Sequence, residues 1–590
     1  MPAADSTITY RLFCSDPRAH LFHVVLTVLH PNPAGSVLSL PAWIPGSYMI
    51  REFSRNIVQI SARSGRRSVA LTKVDKHTWH AAPCDGRLVV EYDVYARDLS
   101  VRSAHLDESH AFFNGSSVFL SVRGHEKARH IVQLVRPAGR RYAKWAVATT
   151  LARDTAARER GFGNYRADSY DELIDHPVEM GQFTWATFEA CGVPHAVAIT
   201  GLHDCDTRRL CADLKQVCET QIRFFHGPRA SRQSPPFSRY LFLVMAVGEG
   251  YGGLEHRSST ALLCSRNDLP FQAMGAATEA YRGFLGLCSH EYFHAWNVKQ
   301  LKPAVFAPYD LTRENYTRLL WAFEGITSYY DDVMLLRAGV ISMQEYLDTL
   351  ARTIRSVLRG AGRLKQSVAD SSFDAWTKYY RQDENAPNAV VSYYTKGALV
   401  ALCIDLMLRQ GSGGQRSLDD VMRKLWREYG AVGQGIPEAG IEAAVLEIAG
   451  PDLRRRMTRF FGEAVHGITD LPLKTLLLTA GFDLRVTPGT PNALGARLAR
   501  SAGGIKLTHV LDQGAAQRAG LSAGDEVVAL NGIRVSTENL EGLLARLPKQ
   551  ARVEVHAFRR DELISRVLTP SQGEVEVSLK PLKEGDASTD

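Results

Sequence analysis

Two histidines four residues apart, with a glutamate directly after the first, make His290-Glu291-Tyr292-Phe293-His294 the segment of this sequence best equipped for chemistry. Residues four apart share one face of a helix, so both imidazoles can meet a single zinc ion, while Glu291 can reach the water that the metal activates and act as general base. Phe284, Leu285 and Leu287 supply the apolar side of such a helix. An HxxxH pattern with glutamate second is expected by chance in roughly 0.03 chains of this length, so coincidence is the weaker explanation.

A catalytic zinc site needs a third protein ligand and keeps the fourth position open. Downstream, WAFEGITSYYDD over 321–332 reads as a second helical stretch on which Glu324 could face the first helix. Asp331 lies seven residues further along the same face and could orient a ligand histidine; a solvated helix charge is the competing reading.

These residues need a scaffold. At 590 residues the chain is too long for one hydrophobic core and calls for roughly three or four domains. Hydrophobic residues are 45% and charged residues 23%, ordinary globular usage that excludes a disordered or fibrous chain. The net charge of +7 is spread over a large surface, which argues against nucleic acid as a partner. Nine cysteines, an odd and sparse count, read as reduced thiols; Cys211 and Cys218 share helical spacing with Leu210, Leu214, Val217 and Ile222 and read as core. The first residues lack the pattern of a secretory signal, and no apolar run approaches the ~20 residues of a membrane span, so a cytoplasmic protein is expected.

The opening 158 residues are written as short strands, clearest in HLFHVVLTVL, RLVVEYDVYA, SSVFLSVR and HIVQLV, which predict an antiparallel β domain. From 159 to 484 the pattern predicts an apolar strand at 241–247 and then long helices at 276–296, 315–338, 343–359 and 395–408. Short strands return over 485–572 with one helix at 538–547, and 573–590 reads as a disordered tail.

Four separated blocks then resemble one family. HEYFHAWNVKQLKP and WAFEGITSYYDD are similar to the zinc-binding segments of gluzincin metallopeptidases, more narrowly of the glycyl aminopeptidases of peptidase family M61. GGLEH at 252–256 and YYTKG at 393–397 resemble further active-site segments shared with aminopeptidase N relatives. PAWIPGSYMIREF and HLDESHAFFNGSSVFL resemble the family's N-terminal domain. The resemblance implies one zinc ion per chain on His290, His294 and Glu324, with Glu291 as general base. It implies that Glu255, with Gly252 and Gly253 before it, holds the free α-amino group of the substrate through a charge-assisted hydrogen bond. It also implies that Tyr394 donates to the oxyanion, with Tyr393 as its neighbouring competitor. His256 stands where aminopeptidase N relatives usually carry asparagine.

The sequence GAAQRAGLSAGD over 514–525, followed by VVALNG, resembles a PDZ domain, with Leu494, Gly495 and Leu498 in the place of its carboxylate-binding loop. Such a domain binds an extended peptide at a sheet edge, although a structural or docking module is an equal alternative. The fold class expected is therefore multidomain α+β: an N-terminal antiparallel β domain, a thermolysin-like, mainly helical catalytic domain, and a C-terminal PDZ-like β domain. The function expected is a zinc aminopeptidase acting on small N-terminal residues of peptides. An endopeptidase guided by its PDZ domain and a non-catalytic peptide-binding scaffold are the alternatives.

Overall fold

The computed structural model describes residues 7–154 and 158–582. Two compact units make up the chain.

The first unit begins with an eight-stranded sheet, where Ile8–Asp16 lies between the antiparallel Leu21–Val28 and the parallel His130–Val135. Alternation of buried and half-exposed residues along Leu21–Val28 matches the period of two read in its sequence. Two four-stranded sheets accompany it. The predicted strand SSVFLSVR is instead mostly irregular, with only Ser121–Val122 in a ladder. Its carbonyls find other partners: the buried phenols of Tyr92, Tyr170 and Tyr10 donate to the carbonyls of Val118, Phe119 and Leu120 at 2.9, 2.6 and 2.6 Å. Three tyrosine donors thus satisfy buried backbone that a strand neighbour would otherwise have to serve.

The β-rich region also extends past the expected limit at 158. Gly163–Ala167 pairs with His130–Val135, and Val178–Gly181 pairs with both His110–Phe113 and Ala146–Ala148. A separate five-stranded sheet follows, in the order Phe183–Ala190, Val193–Thr200, Tyr240–Val247, Ser259–Ser265, Tyr251–Glu255. Its last strand is the edge and runs antiparallel to Ser259–Ser265. The nearly continuous apolar run of Tyr240–Val247 fits its central place between two parallel neighbours. The helices Thr207–His226 and Glu279–Phe293 belong to this unit; the first carries the buried Cys218, and Cys211 is half-buried.

The second unit contains the helices Met343–Leu358, Thr395–Gly411, Leu418–Leu425 and Gly440–Phe460 with the C-terminal β module. That module has a core around Leu507, Val527, Val553 and Val555. Its strands run in the order Ala496–Arg500, Ile505–Val510, Glu526–Leu530, Val553–Arg559, Glu562–Leu568, and it has two short helices, Ala515–Arg518 and Leu540–Ala545, where one was predicted. The expectation of a disordered tail over 573–590 fails for its first part. Glu576–Pro581 forms a strand against Phe482–Thr487, with Leu579 and Leu484 as the buried partners of the pairing. Residues 583–590 lie outside the described residues. Among the described residues, no helix is long and apolar enough to cross a membrane.

Candidate active site

The helix Glu279–Phe293 starts on Thr278, whose hydroxyl accepts the Tyr281 N–H at 3.1 Å, and it ends at His294. Aromatic packing fixes its orientation. Tyr292 Oη lies 2.9 Å from His195 Nε2, and the Trp296 indole just beyond donates to His226 Nε2 at 2.9 Å. His290 and His294, one turn apart, then present their Nε2 atoms to each other at 3.0 Å. Their other nitrogens are already engaged. His290 Nδ1 lies 3.1 Å from Asp331 Oδ2, and His294 Nδ1 donates to the Asn297 carbonyl at 2.7 Å. A carbonyl only accepts, so His294 carries a proton on Nδ1, which leaves Nε2 as the nitrogen that can act as a metal ligand.

Glu324 separates the short helix Leu320–Phe323 from Gly325–Arg337, where a single helix over 315–338 was predicted. Gly325 is required at this junction, because a Cβ there would meet the Gly397 Cα at 2.6 Å and the Tyr393 carbonyl at 2.9 Å. His290 and His294 belong to the first unit, and Glu324 to the second. Asp331, on the same helical run as Glu324, receives further support: its carbonyl accepts the Ser289 hydroxyl at 2.8 Å and its Oδ1 accepts the Asp332 N–H at 2.6 Å. Burial pushes the Asp331 carboxyl up, and the contact with His290 opposes that shift.

Glu255 closes the edge strand Tyr251–Glu255 and is buried. Its carboxylate joins Glu291 and His294 in a second group whose ligand atoms are within 4.8 Å of one another. Two glycines hold this group together. A Cβ on Gly253 would overlap the Glu291 carboxylate, and one on Gly46, at φ +91°, would overlap that of Glu255. Gly252 has the Arg102 guanidinium beside it, and Arg102 donates to the Gly253 carbonyl at 3.2 Å.

Tyr394 begins the helix Thr395–Gly411, with its hydroxyl 3.2 Å from that of Tyr380 and its ring stacked on Tyr393 at 4.8 Å. Burial, and then the nearby Glu324 carboxylate, hold its phenol well above the ordinary tyrosine range, so it remains a proton donor.

Sequence models match this chain over three stretches: the peptidase M61 N-terminal domain over residues 9–182, M61 glycyl aminopeptidase over 283–400, and a PDZ domain over 483–549. An aminopeptidase N family protein from Idiomarina loihiensis has 40% sequence identity and a TM-score of 0.93, covering 98% of each chain. The chain belongs to the M61 glycyl aminopeptidase family. An M1 zinc metallopeptidase from Deinococcus radiodurans is a more distant likeness, at 13% identity and TM-score 0.48 over 79% of this chain and 95% of its own. A search of curated proteins found no match.

As a member of the M61 family the protein is a peptidase of aminopeptidase type, and the donor set would suit a zinc ion. Tetrahedral zinc with bonds of about 2.0–2.1 Å separates its ligand atoms by about 3.3 Å, close to the 3.0 Å between the two Nε2 atoms. Each histidine holds its second nitrogen on an oxygen, the outer arrangement usual for ligand imidazoles.

Several residues around this M61 site carry no signal of their own in the sequence. Gly46, Arg102 and Asn297 act through backbone proximity, which no spacing rule reports. Beside Glu255, a buried network centres on Asp175, which lies 3.0 Å from His256 Nδ1 and accepts from Lys299 and Arg257 at 2.8 and 2.9 Å. Burial opposes ionisation of Asp175, but the three cationic or donating neighbours hold its carboxyl well below the usual range.

At the C-terminal module, Leu494 is buried and its carbonyl accepts the Ala516 N–H at 2.7 Å. Gly495 adopts φ +68°, where a Cβ would meet the Gly514 Cα at 2.6 Å. Leu498 lies on the edge strand Ala496–Arg500.

Proposed function

We propose that this enzyme removes small N-terminal residues, glycine or alanine, from peptides, with one zinc ion held by His290, His294 and Glu324. The observation that carries the reading is the Glu255 carboxylate beside Glu291 and His294. A buried acid there offers the ammonium of a substrate N-terminus a charge-assisted partner.

Zinc, when bound, would polarise the scissile carbonyl and lower the pKa of a water to about 7. Glu255 holds the α-ammonium and so fixes which peptide bond faces the histidines. Glu291 takes the proton from the attacking water and returns it to the leaving amine. Tyr394, kept protonated, donates to the carbonyl oxygen as it becomes an oxyanion. The edge strand at Gly252 and Gly253 offers backbone groups along which an extended peptide can lie. The C-terminal module is proposed to hold a peptide in the same manner against the edge strand Ala496–Arg500, at the loop of Leu494 and Gly495. Nine free thiols support a reducing compartment such as the cytoplasm.

Chromogenic amides of glycine, alanine and bulky residues, each with a free or an acetylated amine, test the reading. Turnover confined to free-amine glycine and alanine is expected. Equal cleavage of acetylated peptides, with Glu255→Ala indifferent, overturns it in favour of an endopeptidase.

A further inference from the structure

A second convergence of metal-type donors lies in the N-terminal β region. His105 lies within the strand Ala104–Leu106 and His110 begins His110–Phe113, its antiparallel neighbour; Asp107 is in the turn between them. Asp107 is fixed by three donors to its Oδ1: the Ser109 N–H at 2.7 Å, the Ser109 hydroxyl at 2.5 Å and the His110 N–H at 3.1 Å. Its other oxygen is left to face His105 Nε2 at 3.2 Å. His110 Nδ1 lies 3.0 Å from Glu179 Oε1, on a strand that pairs with its own. In the neutral ring, with Nδ1–H directed at that carboxylate, His110 Nε2 carries the lone pair, and it is buried without a hydrogen-bond partner.

We propose that His105, Asp107 and His110 bind a divalent cation of the zinc class, separate from the one at His290 and His294. One ligand atom from each of the three residues lies within 4.8 Å of the others. The 3.2 Å between His105 Nε2 and Asp107 Oδ2 is close to the spacing of about 3.3 Å between two donors of one tetrahedral ion. The two imidazoles are 4.9 Å apart at an interplanar angle of 25°, whereas His290 and His294 are 4.6 Å apart and nearly perpendicular. Glu179 holds the outer nitrogen of His110 as Asp331 holds that of His290. Binding changes the His105 tautomer: the proton that Nε2 directs at Asp107 passes through solvent to Nδ1, which has no protein partner, and the Nε2 lone pair goes to the ion. His105, His110, Glu179 and Thr200 border a small, otherwise largely apolar cavity of about 20 Å³, room for one water.

The competing arrangement, two core histidines without an ion, leaves His110 Nε2 and His105 Nδ1 buried without hydrogen-bond partners. A water in the cavity meets part of that demand; a cation meets the demand of His110 and Asp107 together. The ion would lock the hairpin from which Arg102 reaches the Gly253 carbonyl, and so support the strand that borders Glu291.

The test is a zinc titration of chelator-stripped full-length protein against a chromophoric chelator. Two equivalents are expected for the wild type, and one each for Asp107→Asn and for His290→Ala/His294→Ala. Asp107→Asn keeps the turn hydrogen bonds through its amide oxygen; if its circular dichroism differs from wild type, His110→Gln replaces it. A single equivalent in the wild type that disappears in His290→Ala/His294→Ala overturns this site and leaves the other standing. Two equivalents retained in both Asp107→Asn and His110→Gln overturn it equally. A zinc-edge anomalous peak beside His110 Nε2 is the expected crystallographic result.

Discussion

His290 Nδ1 stands 3.1 Å from Asp331 Oδ2, a contact between two helices that orients one imidazole and fixes its tautomer. With the proton held on Nδ1, Nε2 is the nitrogen available to a metal. Asp331→Asn removes the charge and keeps the shape. Zinc affinity is expected to fall about 10- to 100-fold, with much of the turnover recovered at saturating zinc. Unchanged affinity in a chelator competition would show that Asp331 orients nothing.

Glu291→Gln is expected to lower kcat by about 10²–10⁴-fold while zinc content stays at the wild-type level. Its position depends on a neighbour that has no side chain. Gly253→Ala would drive a methyl group into the Glu291 carboxylate, so the variant is expected to lose activity in the same range while it still binds zinc. Metal analysis and steady-state kinetics on the two variants together separate loss of the base from loss of the metal.

Tyr394→Phe deletes one hydroxyl. If that hydroxyl meets charge that develops only in the transition state, kcat falls about 10²–10³-fold with KM nearly unchanged. Tyr393→Phe serves as the comparison, because Tyr393 is fully buried against the same helix start. A larger loss at Tyr393 than at Tyr394 would exchange their roles.

The residues legible in the sequence were those whose spacing is itself the mechanism. His290 and His294 share a face because the helix repeats every 3.6 residues, and Asp331 follows Glu324 by two turns for the same reason. The edge strand at Gly252 and Gly253 was legible only through resemblance, since a lone glutamate in a Gly-rich turn has no periodicity. Gly46 and Arg102 were invisible, because each meets the site from more than 150 residues away in the chain. SSVFLSVR misled for a related reason: its strand pattern is genuine, but tyrosine hydroxyls take the carbonyls a ladder would use. Glu576–Pro581 was missed because charged residues flank only two alternating apolar positions, and its partner strand lies almost a hundred residues earlier.

Asp175 gives a prediction whose sign can be worked out. Its carboxyl is held well below the usual range in the folded protein, whereas an unfolded aspartate titrates near ~3.9. A depressed carboxyl adds stability that is fully present above the unfolded value and is lost as pH falls through the folded one. The acid limb of the wild-type stability curve should therefore steepen below about pH 4. Asp175→Asn removes the partner shared by Lys299, Arg257 and His256, and Lys299 is itself buried, so an uncompensated cation remains. The expected cost at neutral pH is about 3–5 kcal/mol, with a flatter acid limb, read as denaturation midpoints from pH 3 to 8. Equal pH profiles for the variant and the wild type would mean that the charges around Asp175 are balanced by other groups.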